Sequence, residues 1–218
     1  MPERDARDLK RTGGRTADEA AGTKMKHTTS RMLFAYWDTR RGERAAPERR
    51  DMEPGGMRHV LADAFILSAD PPQEPAFRLA GTRLCSLFCR DMKGEPFHGL
   101  WPTARHEEAD RLVRSVLTET VGLVAGLVGC NENGSELPLE LLLLPLRHRG
   151  RTDARLIGSL SPASIPSWAG LVPLRTMETR SLRVIEPRTQ PGPAPQGTVG
   201  VASAGRRSLF VVHEGGRL

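Results

Sequence analysis

The chain has 218 residues, 38% of them hydrophobic, enough for one sizeable domain with tails. Its net charge of +6 and pI near 9.9 arise from Arg scattered among Glu and Asp; that is a solvated-surface pattern, and the balance of charge does not point to nucleic acid as a partner. The longest apolar run, Leu137 to Leu146, contains Pro138, Glu140 and Pro145 and falls far short of the roughly 20 residues that span a bilayer, so no membrane partner is expected.

Residues 1–29 are polar and read as a disordered tail. Met1-Pro-Glu-Arg-Asp-Ala-Arg carries no apolar leader, and three Cys form no even disulfide framework, which together predict a cytoplasmic protein. Ser30 is the expected N-cap of a helix over 31–41, with Met32, Leu33, Tyr36 and Trp37 on one face and Gly42 at its end. Glu43 to Glu53 is Arg-rich and irregular. Pro54 opens a short helix over 55–63, with Met57, Val60 and Leu61 on its apolar side. Phe65-Ile-Leu-Ser reads as a strand, ended by Pro71-Pro72. Phe77-Arg-Leu-Ala reads as a second, with Phe77 and Leu79 on one face because the strand period is two. Leu84, Leu87 and Phe88 then form a helical stripe.

Pro102-Thr103 opens a helix over 103–119, where Ala109, Leu112, Val113, Val116 and Leu117 recur at helical spacing; Gly122 marks its end. Val121 to Cys130 is apolar and Gly-rich, and Asn131-Glu-Asn-Gly134 is a turn. Leu137 to Arg147 returns, Arg149-Gly150 turns again, and Arg155 to Leu160 is the last strand. This order predicts an α+β domain over 30–185, an antiparallel sheet of about five strands flanked by helices. Residues 186–218, with Pro-Arg-Thr-Gln-Pro-Gly-Pro-Ala-Pro, read as a low-complexity basic tail.

One strand predicts a lid. Leu139, Leu141 and Leu143 share one face; Glu140, Leu142 and Leu144 share the other, so both faces are apolar. Something must cover the second face. The amphipathic helix 31–41 is the expected cover, through Leu33, Tyr36 and Trp37 over Leu142 and Leu144, from the same chain or from a homodimer partner.

The run Arg78-Leu-Ala-Gly-Thr82, a small helix, Lys93-Gly94, Phe97 and Leu100-Trp101 resembles the stand-alone, single-domain PAS sensor-domain family of alphaproteobacteria. Arg41-Gly42, Pro47-Glu-Arg-Arg-Asp51 and Ile165-Pro-Ser-Trp-Ala-Gly170 fit the same pattern. The resemblance spans roughly 30–185. It implies the PAS fold and a sensory or regulatory role, exerted by protein–protein contact and by a small apolar ligand in the cavity between sheet and helices. Leu84, Phe88, Phe97, Trp101, Leu112 and Val116 are the candidates for lining that cavity, or are plain core. An unidentified signalling protein is the implied partner.

Chemistry is sparse. G-x-S-x-G, H-E-x-x-H, a phosphate-binding loop and a dinucleotide fingerprint are absent, and no enzyme is expected. Cys85 and Cys89 stand i, i+4, with His98 or Cys130 as further conceivable ligands, but no paired C-x-x-C spacing supports a metal. His98 and His106 occupy the region where a haem-binding relative would place its ligand, yet both have polar or Gly neighbours. The flavin-photoreceptor branch carries an Asn-Cys-Arg-Phe-Leu motif; here Leu84-Cys-Ser-Leu-Phe-Cys-Arg-Asp stands instead. No metal and no cofactor is the expectation, with the three Cys as packing residues. Arg40, Arg41, Arg44, Arg49 and Arg50 suit either an anion, such as a nucleotide or nucleic acid, or docking of the helix onto the domain.

Overall fold

A computed structural model describes residues 25–70 and 73–185. Its elements in chain order are helix α1 (Thr28–Arg41), strands β1 (Ala64–Ser68) and β2 (Ala76–Ala80), helices α2 (Thr82–Phe88) and α3 (His106–Glu119), and strands β3 (Gly122–Asn131), β4 (Glu136–His148), β5 (Arg151–Pro162) and β6 (Leu174–Ile185). Short 3-10 turns at Arg49–Asp51, Pro54–Met57, Phe97–Leu100 and Thr103–Arg105 join them. The six described strands form one antiparallel sheet in the order β2-β1-β5-β4-β3-β6.

The sheet is one strand thick and buries both faces. On one face Leu139, Leu141 and Leu143 of β4 join Phe65 and Leu67 of β1 beneath α2 and α3. On the other, Leu142, Leu144 and Leu146 join Ile66, Val124 and Ile157 beneath α1. The alternation along β4 therefore distributes its leucines as expected. The helix over Ala109, Leu112, Val113, Val116 and Leu117 also forms with that stripe buried, although it stops at Thr120, held in the left-handed region at φ 54°, before Gly122 is reached.

α1 starts earlier and sits rotated from expectation. His27 is the N-cap and accepts from the Thr29 amide; Ser30 lies buried within the first turn. The Glu140 carboxylate accepts from the backbone N–H of Lys26 and His27 at 2.7 and 2.9 Å. Negative charge there complements the positive end of the helix dipole. The buried stripe is Ser30, Leu33, Phe34, Trp37 and Arg41, while Met32 is 42% exposed. The expected face of Met32, Leu33, Tyr36 and Trp37 is centred about a quarter turn away from this one, and the two share Leu33 and Trp37.

Further departures have local causes. Residues 25–29, assigned to the tail, are part of the domain: Met25 is buried and Thr28 opens α1. Residues 1–24 and 186–218, with the expected tails, lie outside the described residues, as does Pro71-Pro72. Residues 54–57 form a 3-10 turn followed by further turns instead of a helix over 55–63, since Gly55 and Gly56 disfavour the α-helix. Phe77 and Leu79 point to opposite faces. A bulge at Arg78 makes Phe77 pair with Leu67 and Leu79 with Ile66, so the two-residue alternation fails between them. A sixth strand, β6, extends the sheet beyond β3; its own bulge at Arg180 breaks the alternation that would have marked it.

Candidate functional site

Leu84, Phe88, Phe97, Trp101, Leu112 and Val116 all lie in the apolar cluster under α2 and α3, and all are buried. They form a packed interior on that face. It is filled by aromatic side chains: Phe65–Phe77, Phe77–Phe97 and Phe97–Trp101 have ring centroids 5.3, 5.8 and 5.1 Å apart. Such edge and tilted contacts are favourable ring geometries. The Trp101 indole donates to Thr179 Oγ1 of β6 at 3.3 Å.

The opposite face is closed by α1 of the same chain. Leu33 and Trp37 are buried against Leu142 and Leu144 as expected, with Tyr36 half-buried at the margin. Asp63, which the sequence reading passed over, joins the two sides of the molecule. Its buried carboxylate accepts from Thr29 Oγ1 of α1 at 3.2 Å and from the Arg83 guanidinium of α2 at 2.5 Å. A lone Asp between Ala62 and Ala64 carries no sequence signal of this; only folding brings both helices to it.

A cavity of about 340 Å³ opens at the β1–β2 edge on the α1 side. Met52, Met57, Leu61, Ile66 and Leu79 give it an apolar lining, with Arg49 as its charged member. A second, more polar cavity of about 420 Å³ lies over β3 and β4 beside Lys26, Glu140 and Arg183. None of the six expected pocket residues lines either cavity.

The PAS domain family model matches residues 25–161. The chain belongs to the PAS domain family. Among solved structures it is similar to the LOV protein of Rhodobacter sphaeroides, with 16% identity and a TM-score of 0.40 over 49% of this chain and 61% of that one. It is similar also to the light-state Aureochrome1 LOV photoreceptor, with 16% identity and a TM-score of 0.40 over 56% of this chain and 94% of that one. This chain thus spans less than two thirds of the Rhodobacter sphaeroides protein. No curated protein matches it.

In this PAS domain the Arg-rich segment is mostly engaged. Arg41 is buried, ion-paired to Asp38 at 2.6 Å and set over the Trp37 ring. Arg44 pairs with Asp51 at 2.9 Å and bonds the Arg40 carbonyl. Arg40 lies over Tyr36 and 4.0 Å from Glu53. Hydrogen bonding from Arg44 holds the Asp51 carboxyl below its ordinary range. These three pin α1 to the following loop; Arg49 lines the first cavity and Arg50 is exposed.

The thiols do not converge. Cys89 is exposed, in the left-handed region at φ 51° as the C-cap of α2, while Cys85 and Cys130 are half-buried. Cys85 packs against the apolar cluster under α2 and α3, whereas Cys89 is left outside it because the helix ends there. His98 lies 3.3 Å from Asp110 and stacks on His106 with centroids 4.3 Å apart. Among the described residues no group of three or more His, Cys, Asp or Glu is arranged to hold a metal, and no helix is long and apolar enough to cross a membrane.

Proposed function

We propose that this chain is a cytoplasmic, single-domain sensory and regulatory PAS protein that works by binding rather than by catalysis. Its partners are a second copy of itself or a signalling protein. The observation that carries this reading is the shared carboxylate of Asp63. A change on the α2–α3 face that moves Arg83 alters a bond on which Thr29, in the first turn of α1, also depends. The sheet between the two faces is one strand thick, so side-chain shifts on one side reach the cap helix directly. PAS membership supports the regulatory role.

Native mass spectrometry of freshly purified protein tests the reading. A dimer, or a mass increment from a retained small molecule, is expected. Hydrogen exchange across 28–41 should then differ between wild type and Asp63→Asn, beyond the change in global stability. A bare monomer at all concentrations, with exchange in α1 following global stability alone, overturns it.

A further inference from the structure

We infer that the cavity at the β1–β2 edge is a binding site for a small amphipathic carboxylate of the medium-chain fatty-acid class. The site lies on the cap-helix side of the sheet, opposite the aromatic interior, and is independent of the partner reading above. It originates in the bulge at Arg78. That extra residue turns Leu79 towards Ile66 and the α1 face, where it stays 50% exposed on an edge strand. α1 packs over β4 and β5. The 3-10 turn Pro54–Met57 and Met52 roof the remaining space near β2.

The lining states the ligand chemistry. It is apolar and Met-containing, and Met accommodates flexible chains because its own side chain is unbranched and polarisable. At about 340 Å³ the space suits a small molecule rather than a protein segment. Its lining contains no Asp or Glu and one basic residue, Arg49. Arg40, Arg41 and Arg44, from the same stretch, each have a carboxylate nearby, whereas no ion pair engages Arg49 among the described residues. An apolar tail with one anionic end matches this arrangement, since Arg binds carboxylates through paired N–H donors.

Isothermal titration with decanoate tests the inference, with decan-1-ol as the uncharged probe and phosphatidylglycerol vesicles as the membrane probe. Saturable one-to-one binding of decanoate is expected. Arg49→Gln should weaken it by about tenfold or more while leaving decan-1-ol binding unchanged. Leu79→Trp, which fills the mouth of the cavity, should weaken both probes; if that variant fails to fold, Arg49→Gln decides alone. Absence of saturable decanoate binding, binding that neither substitution alters, or binding to vesicles without binding of free decanoate overturns the site.

Discussion

Trp37 donates its indole N–H to the carbonyl oxygen of Pro145 over 2.8 Å. The bond fastens the cap helix where β4 has run past its last pair with β3, Leu123 with Leu143. Next to it the Arg147 amide donates to the Pro47 carbonyl, so the segment after α1 serves the same overhang. Trp37→Phe keeps most of the apolar area but removes the donor. It should cost about 1–2 kcal/mol, and Trp37→Ala about 3–5 kcal/mol, in urea unfolding. A Phe variant as stable as wild type would mean that the indole bond contributes nothing.

Gly158 sits opposite Phe65 in the β1–β5 ladder. A Cβ there would lie 2.4 Å from the Phe65 ring and 2.5 Å from the Leu142 carbonyl oxygen. The ring belongs to the aromatic cluster and the carbonyl to the backbone of β4, so neither yields easily. Gly158→Ala should destabilise by about 1–3 kcal/mol and alter the near-ultraviolet aromatic signal. Gly55→Ala, with open space around it, is the control and should be close to neutral.

Cys89 adopts a left-handed backbone that most side chains disfavour. Cys89→Gly should raise stability by up to about 1 kcal/mol, because Gly takes this helix-ending conformation without a Cβ penalty. Thiol labelling of the folded protein should modify Cys89 well before Cys85 and Cys130. Equal labelling rates for all three would contradict the exposure described.

Asp51 and Asp70 have carboxyls held below their ordinary range, chiefly by hydrogen bonds from Arg44 and Arg155 respectively. Their folded pKa values lie below an unfolded value of about 3.9. The stability they contribute is therefore present above that value and disappears as pH falls through the folded ones. Thermal unfolding between pH 7 and pH 3 should show the loss setting in below about pH 4–5. Arg44→Gln and Arg155→Gln should each lower the melting temperature at pH 7 and flatten its acid limb. A parallel downward shift at every pH would show that these arginines act by packing alone.

Local pattern determined much of this protein. The stripe of α3, the turns at Asn131–Gly134 and Arg149-Gly150, and the two-faced leucines of β4 follow from side-chain period and turn chemistry, which neighbouring residues set among themselves. The PAS resemblance and the need for a cap over Leu142 and Leu144 came from the same information. Tertiary structure decided the rest. The bulges at Arg78 and Arg180 exist because paired strands accommodate an extra residue, and each reverses the faces that a strict period of two assigns. The rotation of α1 was set by where Phe34 and Trp37 fit over β4, not by its own amphipathic pattern. Asp63 found Thr29 and Arg83, and Arg49 found the cavity, through contacts between segments distant in the chain. A single polar or charged residue has no periodicity to announce its role, so its partners are known only once the chain has folded.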